Sequence, residues 1–385
     1  MSHQEQLYQW TETTREYLPD LSKAEALVLS LWSLGMLLAR SCATPQIALL
    51  WSEALGMSFN TCRQRLREFY LEAAKKRGQK RHQLAVTLCF APLLKWVLAY
   101  WHGEQLALAL DATTLGDRFR VLVISVLFGR CAIPVAWKVL PAQEKGAWRE
   151  HWLTMLDLLG PAVPKTMRTL VLCDRGLYAK WLFAKIVQWG WHPFLRVNVG
   201  GTFRPVGQKT YRKLGHVCPV GQTWAGRGTA FQGQACLECT LLACWQAGCK
   251  DPWLILTDLA PQEAQACWYG YRAWIEQGFK VLKSSGWQWQ DTRMSDPGRV
   301  ERLWLAMAIA TLGALALGEA HEEPVSPVRA FRRGQVRLLV RLLEGERLVL
   351  ADLIPPDWNV TPPKPREIIH PQKVKPPLAR EYLPQ

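Results

Sequence analysis

The sequence predicts a mixed α/β protein: a sheet flanked by helices, with a β-rich insertion and an all-helical N-terminal region. Three observations predict it. Apolar residues follow a helical period up to about residue 100 and then gather in short, partly β-branched runs. From there, runs and helical segments alternate, the pattern of a sheet with helices on its faces. A Gly- and Thr-rich stretch, 199–251, with Pro205 and Pro219, breaks that alternation and reads as a β-rich insertion.

Taken in order, residues 21–82 read as helices. Ser22 is a fitting N-cap for LSKAEALVLSLWSLGMLLAR, and TPQIALLWSEALG ends at Gly56. SFNTCRQRLREFYLEAAKKRG is expected to run from near Ser58 to Gly78, with Arg63, Arg67 and Lys75 on one side and Leu66, Phe69 and Ala73 on the other. A short helix, a Gly-containing turn and a basic helix are the parts of a helix-turn-helix, and equally of a plain bundle with a solvated basic face. Three runs follow, LALALDATTL (106–115), RFRVLVISVLFG (118–129) and CAIPVAWKVL (131–140). A helix over 145–159, the run TLVLCDRG (169–176), a helix over 178–189 and the run PFLRVNVG (193–200) continue the alternation. After the insertion come WLILTDL (253–259), one long helix over 264–285 and another over 297–319. The expected divisions are 1–100, 101–198, 199–251, 252–322 and 323–385, the last being a helix and a Pro-rich tail from 355.

Composition narrows the function. With 47 Lys+Arg against 32 Asp+Glu the formal charge is +15, and 49% hydrophobic residues exclude a wholly disordered basic chain. The longest near-apolar run, Leu303 to Leu317, is shorter than the roughly 20 residues of a membrane span. The first residues lack the basic and apolar regions of a secretion signal, and 11 scattered cysteines suit reduced thiols in a cytoplasm. A soluble protein this basic points to a polyanion, with nucleic acid first. The charge is also unevenly spread. Residues 175–237 contain no acid, yet hold Arg175, Lys180, Lys185, Arg196, Arg204, Lys209, Arg212, Lys213 and Arg227, which favours a surface for a phosphate backbone.

The acids carry the chemistry. Asp111 interrupts an apolar strand, so it needs a strand end or strong compensation. Asp174 ends a similar run, and ligands gather at strand ends in open α/β sheets. Tyr269, Arg272, Glu276 and Lys283 have the spacing Y-x2-R-x3-E-x6-K. At about 100° per residue they form a helical stripe about 60° wide, beside an apolar flank of Trp274, Ile275, Phe279 and Leu282. Two Asp and one Glu are hard oxygen donors suited to two Mg²⁺ or Mn²⁺ ions, which activate water or a 3′-hydroxyl for in-line attack at phosphorus.

These residues resemble the DDE transposases of bacterial insertion sequences, the group with the Tyr-Arg-Glu-Lys signature. The flanking segments LDATTL, GRCAIPVAW, CDRGLYAKWL and FLRV agree, and the likeness covers roughly 100–320. It implies a ribonuclease H-like catalytic core. Asp111, Asp174 and Glu276 would be the catalytic, metal-binding triad, with Tyr269, Arg272 and Lys283 on the phosphates of the transposon end. It also implies a partner, DNA at the element's ends and at the target, and a homodimer in the synaptic complex. Trp224 is a candidate to stack on a flipped base. The implied activity is cut-and-paste DNA transposition in the bacterial cytoplasm, on the nucleoid. A silent DNA-binding regulator, or a nuclease that cuts without joining, are the alternatives.

Three further features bear on function or packing. Cys236, Cys239, Cys244 and Cys249 form C-x2-C-x4-C-x4-C, but two of them sit in an alternating strand pattern, which disfavours zinc. Asp258 also ends an apolar run and is a candidate to support the metal ligands. In 332–345, Val336, Leu339, Val340 and Leu343 lie at helical spacing, which favours core packing over a protomer contact.

Overall fold

Ser2 and Ser22 open two helices in the same way. Each side chain accepts the N–H of a Glu three residues on, Glu5 or Glu25, and that Glu bonds back to the serine's N–H. The first of these helices, α1 (His3–Tyr17), lies in the expected helical region but before the segments delimited at 21–82, and an S-x-x-E capping box marks its start in the sequence. The structure, a computed structural model, describes residues 1–76, 81–144, 146, 148–318, 327–355 and 357–358.

Helix α2 (Lys23–Ala39) meets α3 (Thr44–Leu55) at 96°, and Gly56 at φ 61° ends α3 in the left-handed region. Helix α4 (Phe59–Tyr70) is shorter than the sequence suggests: it stops at Tyr70, and Lys75 belongs to a separate 3₁₀ turn, Ala73–Lys75. The stop has a tertiary cause. The Tyr70 carbonyl accepts from the buried Arg302, and Glu72 takes two hydrogen bonds of 3.0 Å from Arg299. A second helix within the expected helical region that the sequence does not delimit, α5 (Phe90–Ala99), leads to the sheet.

Three antiparallel strands, β1 (Gln105–Leu115), β2 (Phe119–Phe128) and β3 (Cys131–Pro141), are followed by α6 (Arg149–Leu159), β4 (Arg168–Cys173), α7 (Lys180–Gln188) and β5 (His192–Arg196). The start expected for α6, near 145, falls partly outside the described residues. β4 pairs parallel with both β1 and β5. The order β3-β2-β1-β4-β5, with these directions, is that of a ribonuclease H-like core.

The 199–251 segment supplies β6 (Thr202–Pro205), β7 (Arg212–Lys213), β8 (Thr223–Ala230) and β9 (Leu237–Cys244). It does not form a separate sheet. β9 pairs antiparallel with β10 (Trp253–Thr257), β10 with β5, and the whole is one ten-stranded sheet ordered β3-β2-β1-β4-β5-β10-β9-β8-β6-β7.

The long helix expected over 264–285 is three helical forms in series: a 3₁₀ segment, Ala266–Arg272, then α8 (Ala273–Lys280), then a π-helical turn, Val281–Ser285. It packs on the sheet face that carries Ala107, Ala109, Leu170, Leu172 and Phe194. A Cβ at Gly278 would stand 2.8 Å from the Cβ of Ala132, so only glycine lets α8 lie this close to β3. The other, larger core joins the N-terminal helices to α9 (Pro297–Gly318), whose apolar length is buried on all sides within the protein.

α10 (Pro327–Leu343) seats Phe331, Gln335, Leu338 and Leu342 inward, with Gly334 against the Ala314 backbone. That corrects the core-packing expectation for Val336, Leu339, Val340 and Leu343. They occupy the opposite side, at 46, 38, 43 and 73% exposure. The Pro-rich tail lies mostly outside the described residues; Trp358, within it, is buried against Trp268.

Candidate functional site

Register brings the first two acids together. Leu110 on β1 lies beside Cys173 on β4, so the next residues, Asp111 and Asp174, stand side by side on two parallel strands. They sit on the α8 face, because side chains alternate along a strand and Ala109 and Leu172 point there. Asp111 is within β1 rather than at its end, so it needs the compensation that the sequence argument allowed. Arg272 provides it: Nη2 donates to Asp111 Oδ2 at 2.6 Å and lies 3.6 Å from Asp174 Oδ2, while Nη1 donates to Glu276 Oε1 at 2.7 Å.

One guanidinium therefore bridges all three acids. Its side chain is 13% exposed and that of Asp111 18%, while Asp174 and Glu276 are 42% and 43% exposed, so the site opens to solvent on their side. Burial raises the pKa of Asp111, and the neighbouring Asp174 and Glu276 raise it further; Arg272 and the Ala112 N–H oppose this. The pKa of Arg272 is raised, as its three anionic neighbours outweigh its own burial. The Nε of Arg272 is buried without a hydrogen-bond partner among the described residues.

The stripe keeps its sense although the helix is not uniform. Three residues make one 3₁₀ turn, so Tyr269 and Arg272 eclipse each other, and Glu276 is one α-turn further on. Tyr269 differs from its expected role on phosphate. It is 4% exposed, its hydroxyl donates to the Cys173 carbonyl at 3.3 Å, and its ring packs on Trp253. It positions the end of β4, next to Asp174. Burial raises its pKa, which keeps the hydroxyl a donor. Arg272, tied to the acids, is likewise not free for phosphate as it stands. Lys283 lies in the π-helical turn, forms no ion pair among the described residues, and burial lowers its pKa.

Residues 128–312 match the family model described as the transposase DDE domain. The match spans Asp174, Glu276 and the whole Tyr-Arg-Glu-Lys stripe, covers a little under half of the chain and leaves Asp111 outside. No curated protein matches the chain. Among solved structures, a chain from the cryo-EM structure of a piggyBac transposase synaptic complex with hairpin DNA is similar over 89% of this chain and 79% of that chain, at 12% identity and a TM-score of 0.39.

Among the described residues, no three acid, Cys or His side chains stand close enough to share a metal ion as placed. The acids are drawn onto Arg272 rather than onto one another. The donor set still suits a hard divalent cation: three carboxylates already converge on one positive group, and two are open to solvent.

The remaining candidates divide. Arg204 and Arg227 share the α8 face, by the pairing of Arg204 with Thr229 and of Arg227 with Thr240, and Lys209, Arg212 and Lys213 are exposed beyond them. Arg175, beside Asp174, pairs with Asp251 at 3.4 Å. Trp224 faces the other way. It pairs with Ala243 in the larger core, lies over Gly226 and meets Phe203 edge-on, so it is not a free ring beside the acids. Arg63 and Arg67 are exposed one turn apart on α4. Cys239 is buried and Cys244 points to the opposite face of β9, so the four-cysteine spacing gathers no metal site. Asp258 is also away from the acids. β10 runs antiparallel to β5, so its end lies at the far side of the sheet, where His192 Nδ1 is 3.1 Å from Asp258 Oδ2.

One more cation stands beside the acids. Arg196 ends β5 beside Asp174, with Leu195 level with Cys173. It lies 6.0 Å from the Tyr269 ring centre, its Nε is buried without a partner, and it forms no ion pair among the described residues. Its signal was present in the FLRV segment and in the acid-free stretch, but not its distance from the acids.

Proposed function

We propose that this protein is a DNA transposase of the Tyr-Arg-Glu-Lys group. It binds the ends of its element, hydrolyses phosphodiester bonds with two divalent metal ions, Mg²⁺ or Mn²⁺, and joins the freed 3′-hydroxyls to target DNA in the bacterial cytoplasm. The observation that carries this reading is the convergence of Asp111, Asp174 and Glu276 on the single guanidinium of Arg272. The transposase DDE domain match over 128–312 supports it independently.

In this reading Asp111, Asp174 and Glu276 hold the metal ions. When bound, the ions supply an activated nucleophile and charge neutralisation at the leaving oxygen. Tyr269 fixes Asp174 through the Cys173 carbonyl. Arg272 keeps three mutually repelling acids in place, and with metal on those acids its guanidinium would be available to a phosphate. Arg196 and Lys283, cations without an acid partner among the described residues, receive the phosphates beside the scissile bond. Arg204, Lys209, Arg212, Lys213 and Arg227 extend that surface along the sheet, and Arg63 and Arg67 present α4 to the DNA.

The test is an assay with Mg²⁺, a DNA carrying the sequences that flank the coding region, and a target plasmid. End cleavage and joined products are expected from the natural protein, and neither from Asp111→Asn. Cleavage without joined products would make the protein a nuclease instead. Equal activity in Asp111→Asn would overturn the site.

A further inference from the structure

The 3₁₀ segment that carries Tyr269 and Arg272 has a second stripe, a third of a turn away. Three residues make one turn there, so Trp268 and Tyr271 also eclipse each other. Both of their polar tips end on the main chain of one stretch near the C-terminus. Trp268 Nε1 donates to the Trp358 carbonyl at 2.6 Å, and the Tyr271 hydroxyl to the Asp357 carbonyl at 3.1 Å. The buried Trp358 ring lies 5.4 Å from that of Trp268, which rests in turn on Phe194 of β5, and Arg168 stands over both indoles.

This stretch is a strap fastened at three places. At its start, the Leu348 N–H donates to Gln9 Oε1 of α1 at 3.1 Å, and Gln9 Nε2 donates back to the Leu348 carbonyl at 3.4 Å. Midway, between α5 and β1, the Leu353 N–H donates to the Tyr100 carbonyl at 2.6 Å, and its carbonyl accepts the His102 N–H at 2.9 Å. The third fastening is the pair of aromatic donors on the 3₁₀ segment. We propose that this strap sets the rotation of the Tyr-Arg-Glu-Lys segment, with Trp268, Tyr271 and Trp358 as positioning residues for Arg272 and Glu276.

The length of the 3₁₀ run is the reason. Such runs seldom exceed three or four residues, because their hydrogen bonds are poorly aligned and their side chains eclipse. Ala266–Arg272 has seven, so contacts from outside the segment must hold it. Relaxed to an α-helix, Tyr269 and Arg272 would stand about 60° apart. Tyr269 could then not reach the Cys173 carbonyl while Arg272 spans the acids. The sheet fixes one side of the segment through Tyr269, and the strap fixes another through Trp268 and Tyr271. Two buried donors need acceptors in any case, but here the acceptors also determine which way the neighbouring stripe points.

The holding of the segment is measured without DNA, and only its effect on cleavage rests on the catalytic reading above. In hydrogen exchange of the full chain, Trp358→Ala should speed the amides of 266–276 by about tenfold or more, with those of β1 and β4 unchanged. In the Mg²⁺ cleavage assay its kcat should fall by about ten- to a hundredfold, with KM for the DNA within about twofold. Trp358→Phe, which keeps a ring against Trp268, should recover most of both. Tyr271→Phe loses a single hydroxyl, so it decides the matter if Trp358→Ala loosens the whole chain; a change of about threefold in each readout is expected, in the same direction. Unchanged exchange over 266–276 in both variants would overturn the proposal. So would a loosened segment that cleaves at the natural kcat, or a loss confined to KM. If the natural protein cleaves no DNA, the catalytic reading fails, and exchange alone still decides whether the strap holds the segment.

Discussion

Asp174 and Asp258 each close an apolar strand, and the sequence around them reads the same way, TLVLCD and WLILTD. The structure sends them to opposite ends of the sheet. β4 runs parallel to β1, so Asp174 arrives beside Asp111; β10 runs antiparallel to β5, so Asp258 arrives beside His192. A carboxylate at a strand end is thus only half of a site. Strand direction, which depends on the connections and not on the run itself, decides which carboxylates meet.

The sharpest way to break this comparison is to remove one carboxylate from each end. Asp111→Asn should lower DNA cleavage by on the order of 10³-fold or more, since it removes a metal ligand from the reacting centre. Asp258→Asn should stay within about twofold. Comparable losses would mean that both ends serve the chemistry.

The next largest effect concerns the bridge. Arg272→Gln leaves three acids facing one another without a counter-charge, one of them mostly buried. Breaking such a pair costs about 3–5 kcal/mol, lessened here because two of the acids are open to water. A lowered melting temperature is expected, recovered in large part by millimolar Mn²⁺, and the natural protein should gain less from the metal. Equal gains would separate Arg272 from the metal site.

Smaller again is Tyr269→Phe. It removes one buried hydrogen bond to the Cys173 carbonyl, about 1 kcal/mol of stability, and should cost about tenfold in cleavage if the end of β4 loosens. A loss of stability alone would limit Tyr269 to packing.

The smallest expected effect lies away from both ends. Hydrogen bonds from Arg299 hold the pKa of Glu72 down, from 4.5 to about 2. A carboxylate depressed in the folded state stabilises above its unfolded pKa, and that stability fades as pH falls through the folded one. Glu72→Gln should therefore cost about 1 kcal/mol at neutral pH, with the difference closing between about pH 4.5 and 2 in urea titrations.

Much of this was legible in the chain. The three consecutive runs at 106–140 are the antiparallel strands, Ser22 is a helix cap, and Asp111, Asp174 and Glu276, far apart in sequence, do converge on one guanidinium. What stayed hidden follows from longer-range causes. α4 ends at Tyr70 because Arg302, far along the chain, caps it. Tyr269 lay on the right stripe, but a helical wheel cannot show that its hydroxyl turns down to β4. The insertion was recognised as β-rich, yet that β9 would join β10 and extend the core sheet depends on edge pairing, which composition does not record. Arg196 was read as one cation among many, and only the register with Cys173 distinguishes it.

Gly278 has no side chain with which to do chemistry, and it stands two residues beyond Glu276. Because α8 rests almost directly on Ala132, the glycine acts as a depth stop: the missing methyl group sets how far the whole helix sinks toward the sheet. The reach of Glu276 to its fellow acids is therefore fixed partly by an atom that is not there. A chain under selection for this site would be expected to hold that position as firmly as the carboxylates, although nothing at the position ever touches a substrate.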